Sequence, residues 1–337
     1  MFKIERHISI LLFFGGFLGL FAGCEQAKFD DEVSKDYSLD NSHSKYHQLV
    51  TRPAKELSNV ELYNRLLTLW DTPYRELELP TSTGSAHVIV SGPVDGDALV
   101  LLHGMNVDST MWYPNIKALS KHFRVYAIDD ILGPGKSTLN TSDDSIEFLV
   151  SWYFEVFDLL ELEKPSIIGA SQGGWIATNL AISHPNKFNH LVLLSPAQTF
   201  TWLDPSIDLL SSLIFTLNPE REGLDEYLST LSNHVESIES MYIDHFLRTS
   251  KSGSISPLLL DMKPFDNEKL SNLPMPVLLL IGDNDLFNGQ DSINRANQAL
   301  PCIQTNIIKD SGHFINVDQA EIVNRQITEF VALNRAC

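Results

Sequence analysis

From Asn59 onward, apolar and polar positions follow two rhythms. Val60, Tyr63, Leu66, Leu67 and Trp70 recur at helical spacing and predict one amphipathic helix. Short β-type runs follow at about 74–79, 85–91, 98–102, 124–129, 165–170, 190–195, 276–281 and 304–309. Two of them, Ala98-Leu-Val-Leu-Leu102 and Val277-Leu-Leu-Leu-Ile281, are apolar without a break, as strands are when helices cover both faces. Helical patterns at about 112–121, 145–162, 173–184, 291–300 and 318–334 lie between the later strands. Such alternation predicts an α/β domain with a mainly parallel sheet. The first strands follow one another without helices, so that edge is expected to be antiparallel.

The interval from Gln198 to Asp266 breaks the rhythm. A structureless loop of that length does not suit a compact domain. It carries helix-like patches at 207–214, 224–231 and 241–247, and predicts a helical cap over about 198–268. Its Phe200, Trp202, Phe215, Tyr227, Tyr242 and Phe246 either line an apolar pocket or form the cap's own core.

The start of the chain is a separate object. Lys3 and Arg6 precede an apolar run from Ile8 to Ala22, shorter than a membrane-spanning helix requires. A basic start, an apolar middle and small residues at the end follow the plan of a secretory signal. The ending Phe21-Ala22-Gly23-Cys24 resembles a bacterial lipobox, with Phe21 where Leu is usual. That resemblance implies a signal over 1–23 and Cys24 as a lipidated first residue. The protein would then be exported and anchored to the non-cytoplasmic side of a bacterial membrane. Residues 24–55 are polar and aperiodic and read as a flexible tether, leaving 56–337 as the folded domain. His43 and His47 in the tether have no fixed geometry for a metal.

The 337 residues carry 43 Asp and Glu against 24 Lys and Arg, a formal charge of −19. That balance excludes a protein that grips nucleic acid through its phosphates or docks on anionic lipid by charge. The three cysteines, Cys24, Cys302 and Cys337, form no C-x-x-C pair and no disulfide framework. Cys302 and Cys337 read as two unpaired thiols, with a bridge between them open in an oxidising compartment.

The chemistry centres on Gly169-Ala-Ser-Gln-Gly173, a G-x-S-x-G pattern between an apolar strand and a helical pattern. In that context the turn is sharp, the glycines avoid collisions, and Ser171 Oγ projects above the sheet. A serine hydroxyl needs a base. Of the eleven histidines, His313 is the candidate, because it follows the strand at 304–309 and so sits at a carboxyl end of the sheet. The acid that orients it is expected after the strand at 276–281. Asp285 is preferred there, with Asp283 beside it and Asp204, after the strand at 190–195, as alternatives. Ser, Asp and His then occur in the order this architecture uses. The backbone N–H groups of Met105 and Gln172 are the expected oxyanion donors, with His103 holding the loop. Gly133-Pro-Gly-Lys-Ser137 imitates part of a P-loop, but Asp130 stands where the first glycine is required. It reads instead as shaping the pocket mouth.

Together, His103-Gly104, Asp130-x-x-Gly133-x-Gly135-x-Ser137, Gly169-x-Ser171-x-Gly173-Gly174, Gly282-x-x-Asp285 and Gly312-His313 resemble the α/β-hydrolase fold superfamily. The resemblance covers about 74–334. It implies an eight-stranded, mostly parallel sheet flanked by helices, with the cap inserted after the sixth strand, and a Ser171-His313-Asp285 triad. The expected activity is serine hydrolysis of a carboxylic ester or related acyl bond through an acyl-enzyme, with no metal or cofactor. A cofactor-free haloperoxidase, a carbon–carbon hydrolase and a non-catalytic binding protein of the same fold are the alternatives.

Overall fold

The computed structural model describes residues 57–203, 206, 212, 214–252 and 257–332. Residues 1–23, the lipid-anchor candidate Cys24, the tether, Asp204 and Cys337 lie outside them.

The chain opens with α1 (Asn59–Leu66). Ser58 starts it with a capping box, its Oγ accepting from Glu61 N–H while the Glu61 carboxylate accepts from Ser58 N–H. The face it buries carries Leu62, Tyr63 and Leu66, whereas Val60 is exposed. The strands are β1 (Tyr74–Thr81), β2 (Gly84–Ser91), β3 (Ala98–Leu102), β4 (Arg124–Ile128), β5 (Thr138–Leu139), β6 (Ser166–Ala170), β7 (Leu191–Leu194), β8 (Val277–Gly282) and β9 (Ile303–Ile308). Their order is β1-β2-β4-β3-β6-β7-β8-β9, with β5 pairing β2. The extra strand beyond the expected eight is β5, whose two residues are too few to leave a periodic signal. Pairs β1–β2, β2–β4 and β2–β5 are antiparallel, and the remaining neighbours are parallel.

The unbroken apolar strands divide their side chains between two layers. In β8, Val277, Leu279 and Ile281 enter one core cluster while Leu278 and Leu280 enter the other. In β3, Val100 and Leu102 take the first side, and Leu99 and Leu101 the second. A fully buried aliphatic side chain contributes about 1.5–3 kcal/mol, so a one-residue slip in these central strands would forfeit packing on both faces at once.

The expected helix at 112–121 is instead a 3-10 turn, Ser109–Trp112, followed by α2 (Ile116–Leu119). Pro114 lies between them and has no N–H with which to continue the helical hydrogen bonds. Next come α3 (Ile146–Leu159), capped by Ser145 Oγ on Phe148 N–H, and α4 (Gln172–Ser183). Between β7 and β8 lie the cap helices α5 (Arg221–Leu231) and α6 (Ser240–Ser252), then α7 (Asn267–Ser271). The chain ends with α8 (Gln290–Ala299), α9 (Ile315–Asp318) and α10 (Ala320–Ala332).

Two expectations need correction. Cys302, just ahead of β9, is disulfide-bonded, so it is not an unpaired thiol. Spacing along the chain carries no information on which sulfurs meet in space. Trp202 is 62 % exposed and belongs to neither a pocket wall nor a cap core.

Candidate active site

Strand order reverses between β3 and β6, and open α/β sheets bind ligands at the carboxyl ends beside such a point. Ser171 follows β6 there, with φ 53° and ψ −119°. This is a strained conformation for a residue with a Cβ. Its surroundings impose it. Ser171 N–H donates to Leu194 O at 3.0 Å, and Ser171 O accepts from Gly174 N–H at 2.9 Å and Ala197 N–H at 3.1 Å. The neighbouring glycines are required by space. A Cβ on Gly169 would lie 2.2 Å from Gly173 O, and one on Gly173 would lie 2.4 Å from Leu102 O.

Ser171 Oγ lies 2.8 Å from His313 Nε2, and His313 Nδ1 lies 2.9 Å from Asp285 Oδ1. An ionised carboxylate only accepts, so Nδ1 carries the proton and Nε2 is left to accept from the serine hydroxyl. The Asp285 carboxylate is held on both oxygens, by Phe287 N–H and by the Asn288 side-chain amide, each at 2.9 Å. The Phe287 ring stands edge-on to the imidazole, centroids 4.6 Å apart. Asp283 turns elsewhere and accepts from Ser311 N–H and the Asn284 amide at the rim.

The loop after β3 is fixed by His103, whose Nδ1 donates to Gly104 O while Nε2 accepts from Asp130 N–H, both at 2.9 Å. Met105 lines the cavity beside Gly104 and Ser171. Gln172 is the first residue of α4, where backbone N–H groups point out along the helix axis. The cap also reaches this loop. Thr249 Oγ1 donates to Asn106 O at 2.7 Å, and His245 Nε2 lies 2.5 Å from the buried Asp108 carboxylate.

A buried ionic cluster behind the site went unrecognised in the sequence. Asp129 accepts from Ser109 N–H, Lys136 N–H, Tyr63 O–H and His87, and His87 also meets Glu76 at 2.9 Å. Lys136 Nζ donates to Glu76 and Asn64. Burial alone would raise the Glu76 carboxyl; the hydrogen bond with His87 and the Lys136 ammonium outweigh it and bring its pKa from 4.5 down to about 2. Burial would likewise lower His87, but hydrogen bonds with Asp129 and Glu76 raise it above its usual 6.5. The loop that imitates a P-loop is consumed here, with Ser137 Oγ on Asp129 O and a Cβ at Gly135 only 2.4 Å from Asp129 Cγ. It does not line the cavity, so it does not shape the pocket mouth. The available signal was the acid pair Asp129-Asp130 opening that glycine motif.

Over Ser171 and His313 lies a cavity of about 140 Å³. Met111, Leu194, Tyr227, Tyr242, Phe246 and Phe287 contribute to its wall. His313 is the one titratable base or acid of the Lys, Arg, His, Asp and Glu types among its described lining residues. Tyr227 and Phe246 stack with Phe215 at interplanar angles of 4–15°. Phe200 packs instead into the sheet core. Among the described residues no group of three or more His, Cys, Asp or Glu is arranged to hold a metal, and no helix is long and apolar enough to cross a membrane.

Residues 97–231 match the family model of the alpha/beta hydrolase fold. The chain is 31 % identical over 276 residues to the uncharacterized carboxylesterase nap of Bacillus subtilis, covering 80 % of this chain and 91 % of that one. It is 29 % identical over 284 residues to carboxylesterase YbfK of the same organism, covering 80 % and 92 %. The crystal structure of naproxen esterase from Bacillus subtilis superposes with a TM-score of 0.75 at 30 % identity, over 81 % of this chain and 96 % of that one.

Proposed function

The chain belongs to the α/β-hydrolase fold family, and we propose that it is an exported carboxylesterase working through Ser171, His313 and Asp285. It is a serine hydrolase by family and by its kinship with carboxylesterases. The hydrogen-bonded line from Ser171 Oγ through His313 to Asp285 carries the assignment of roles. Ser171 Oγ attacks the ester carbonyl as His313 Nε2 takes its proton. Asp285 holds the imidazole tautomer and stabilises the imidazolium. The N–H groups of Met105 and Gln172 receive the oxyanion. His313 then protonates the departing alcohol, and water repeats the sequence on the acyl-enzyme.

The cavity supports a neutral ester with an apolar acyl or alcohol group, because ionic partners for a charged substrate are missing from its described lining. Carbon–carbon bond hydrolysis on the same side chains must stabilise a carbanionic leaving group, and the described lining offers no Lys or Arg for it. The decisive experiment combines fluorophosphonate labelling with hydrolysis of p-nitrophenyl esters of rising acyl length, in wild type and Ser171→Ala. Labelling and turnover should both vanish in the variant. An unlabelled wild type would refute the enzyme assignment, and a labelled Ser171→Ala would refute the nucleophile.

Export and anchoring rest on the signal-like residues 1–23 and on Cys24. The disulfide at Cys302 supports an oxidising compartment. Without residues 1–23, which hold Lys3, Arg6 and Glu5, the body carries a charge of −20 and is not drawn to anionic lipid, so a lipid on Cys24 would do the holding. Cys24→Ser should move the protein from the membrane fraction to the soluble one; retention in the membrane would contradict lipidation.

A further inference from the structure

We propose that Asp318 is a positioning residue for the reaction, tying the cap to the loop that carries His313 so that the cap sets where the base stands. The inference rests on the serine-hydrolase roles proposed for Ser171 and His313.

His313 stands on a loop between β9 and α9, anchored on its β9 side where Ser311 O accepts from Asn284 N–H at 3.0 Å and Ser311 N–H donates to Asp283 Oδ1 at 3.2 Å. The backbone N–H groups on either side of the histidine are both held from outside it. Phe314 N–H donates to Leu231 O, at the end of cap helix α5, at 2.8 Å. Gly312 N–H donates to Asp318 Oδ2 at 2.8 Å. The same carboxylate reaches across to the cap, where Ser232 Oγ–H donates to Oδ1 at 2.5 Å and Asn233 N–H to Oδ2 at 3.0 Å. One side chain thus receives from the residue before His313 and from two consecutive cap residues. Hydrogen bonds to a carboxylate are shorter and stronger than neutral ones. The two segments are also in close contact. A Cβ on Gly312 would lie 2.6 Å from Leu231 O, which is backbone and cannot swing aside. A second tie lies at the rim, where His234 Nε2 meets Asp310 Oδ2 at 2.9 Å. Leu231 itself lines the substrate cavity. The wall that holds the substrate and the base that acts on it therefore share one joint.

The function of such a joint is geometric. His313 must keep Nε2 at 2.8 Å from Ser171 and Nδ1 at 2.9 Å from Asp285. Displacement of a reacting group by 1 Å costs on the order of 100-fold in rate. Asparagine at 318 can reproduce the joint, with its oxygen accepting from Gly312 and Asn233 and its amide donating to Ser232 Oγ. Alanine cannot.

The test measures kcat and KM on a p-nitrophenyl ester, the rate of fluorophosphonate labelling, and Tm, for wild type, Asp318→Ala and Asp318→Asn. Asp318→Ala should lower kcat and the labelling rate together by about 10- to 100-fold with KM within about twofold, and Asp318→Asn should restore both to within about threefold of wild type. Asp318→Ala labelled at the wild-type rate well below its Tm would reduce Asp318 to a structural part and overturn the proposal. Asp318→Asn as impaired as Asp318→Ala would also overturn it, since charge and not position would then matter. If Asp318→Ala does not fold, Ser232→Ala severs the Oγ bond to Asp318, along with the bond from His234 N–H to the same Oγ inside the cap, and it should lower kcat by about threefold at constant KM; an unchanged kcat would overturn the proposal. Failure of the wild type itself to label would sink the serine-hydrolase roles, and the proposal with them. That result is distinct from a labelled wild type beside an unaffected Asp318→Ala.

Discussion

Ser171→Gly should be more stable than Ser171→Ala, the reverse of the order at an ordinary position. Both changes delete Oγ and its contact with His313, so comparing them isolates the Cβ. At φ 53° and ψ −119° a residue with a Cβ is strained, at a cost of about 1–3 kcal/mol. Glycine relieves that strain but gains freedom in the unfolded chain, losing back about 0.4–1 kcal/mol. The net expectation is about 1–2 kcal/mol in favour of Ser171→Gly. In a domain of this size that raises Tm by about 2–6 °C relative to Ser171→Ala. Urea unfolding of the two variants, with equal m-values, reads the difference directly. Ser171→Ala equal to or more stable than Ser171→Gly would show that the turn stores no strain, and would remove the physical reason given for its backbone geometry.

Three further outcomes follow from the site and its supports. Asp285→Asn should lower kcat by about 10³–10⁴-fold, because an amide can select the wrong imidazole tautomer, whereas Asp283→Asn at the rim should stay within about threefold; the reverse order in a kinetic comparison would reassign the acid. Glu76 has its folded pKa depressed from 4.5 to about 2 with a side chain only 2 % exposed, so it contributes about 3 kcal/mol above pH 4.5, lost as pH falls through about 2. The stability gap between wild type and Glu76→Gln should therefore shrink by about 2 kcal/mol between pH 6 and pH 3 in urea titrations; a constant gap would contradict the depressed carboxyl. His245→Phe leaves the buried Asp108 carboxylate without its cap partner and should cost about 1–3 kcal/mol in stability, with no loss on chemical denaturation counting against that contact.

Legibility in the sequence followed the range of the interactions. The strands at 98–102 and 276–281 were readable because burial on both faces writes an unbroken apolar run into adjacent residues. Ser171 and His313 were readable because a strand-to-helix turn and a strand end each carry a local pattern, and the structure brings the two side chains to 2.8 Å. Glu76, His87 and Asp129 were not. Their contacts join β1, β2 and the end of β4, and a histidine inside a strand pattern looks the same whether it faces solvent or two carboxylates. The Gly133–Ser137 loop misled for a related reason. Gly135 answers to the crowding of Asp129 and Gly133 to His103 and Asp130, contacts in space that a loop read as the pocket mouth does not encode. The pairing of Cys302 depended on distance in space. Asp318 lay unremarked because the partners that give it meaning are in the cap, at Ser232 and Asn233, far back along the chain.

The acidic excess acquires a location once the site is known. Glu76, Asp108, Asp129 and Asp285 are buried with side chains at most 2 % exposed, and each is met by donors or a histidine. They brace loops and orient a base, and none lines the cavity. Asp130 is buried too, with Tyr153 O–H on its carboxylate, whereas most of the other described acids are exposed and act from outside, as a negative field around a neutral, apolar chamber. Such a field disfavours the approach of anionic substrates, and the chamber offers them no compensating cation when they arrive. Net charge and cavity lining thus select in the same direction. An ester is admitted neutral, and its hydrolysis yields a carboxylic acid that ionises at neutral pH. The product becomes an anion in a chamber that has nothing to hold it, and the surrounding field opposes its return. The feature that bars anionic substrates therefore also favours product release.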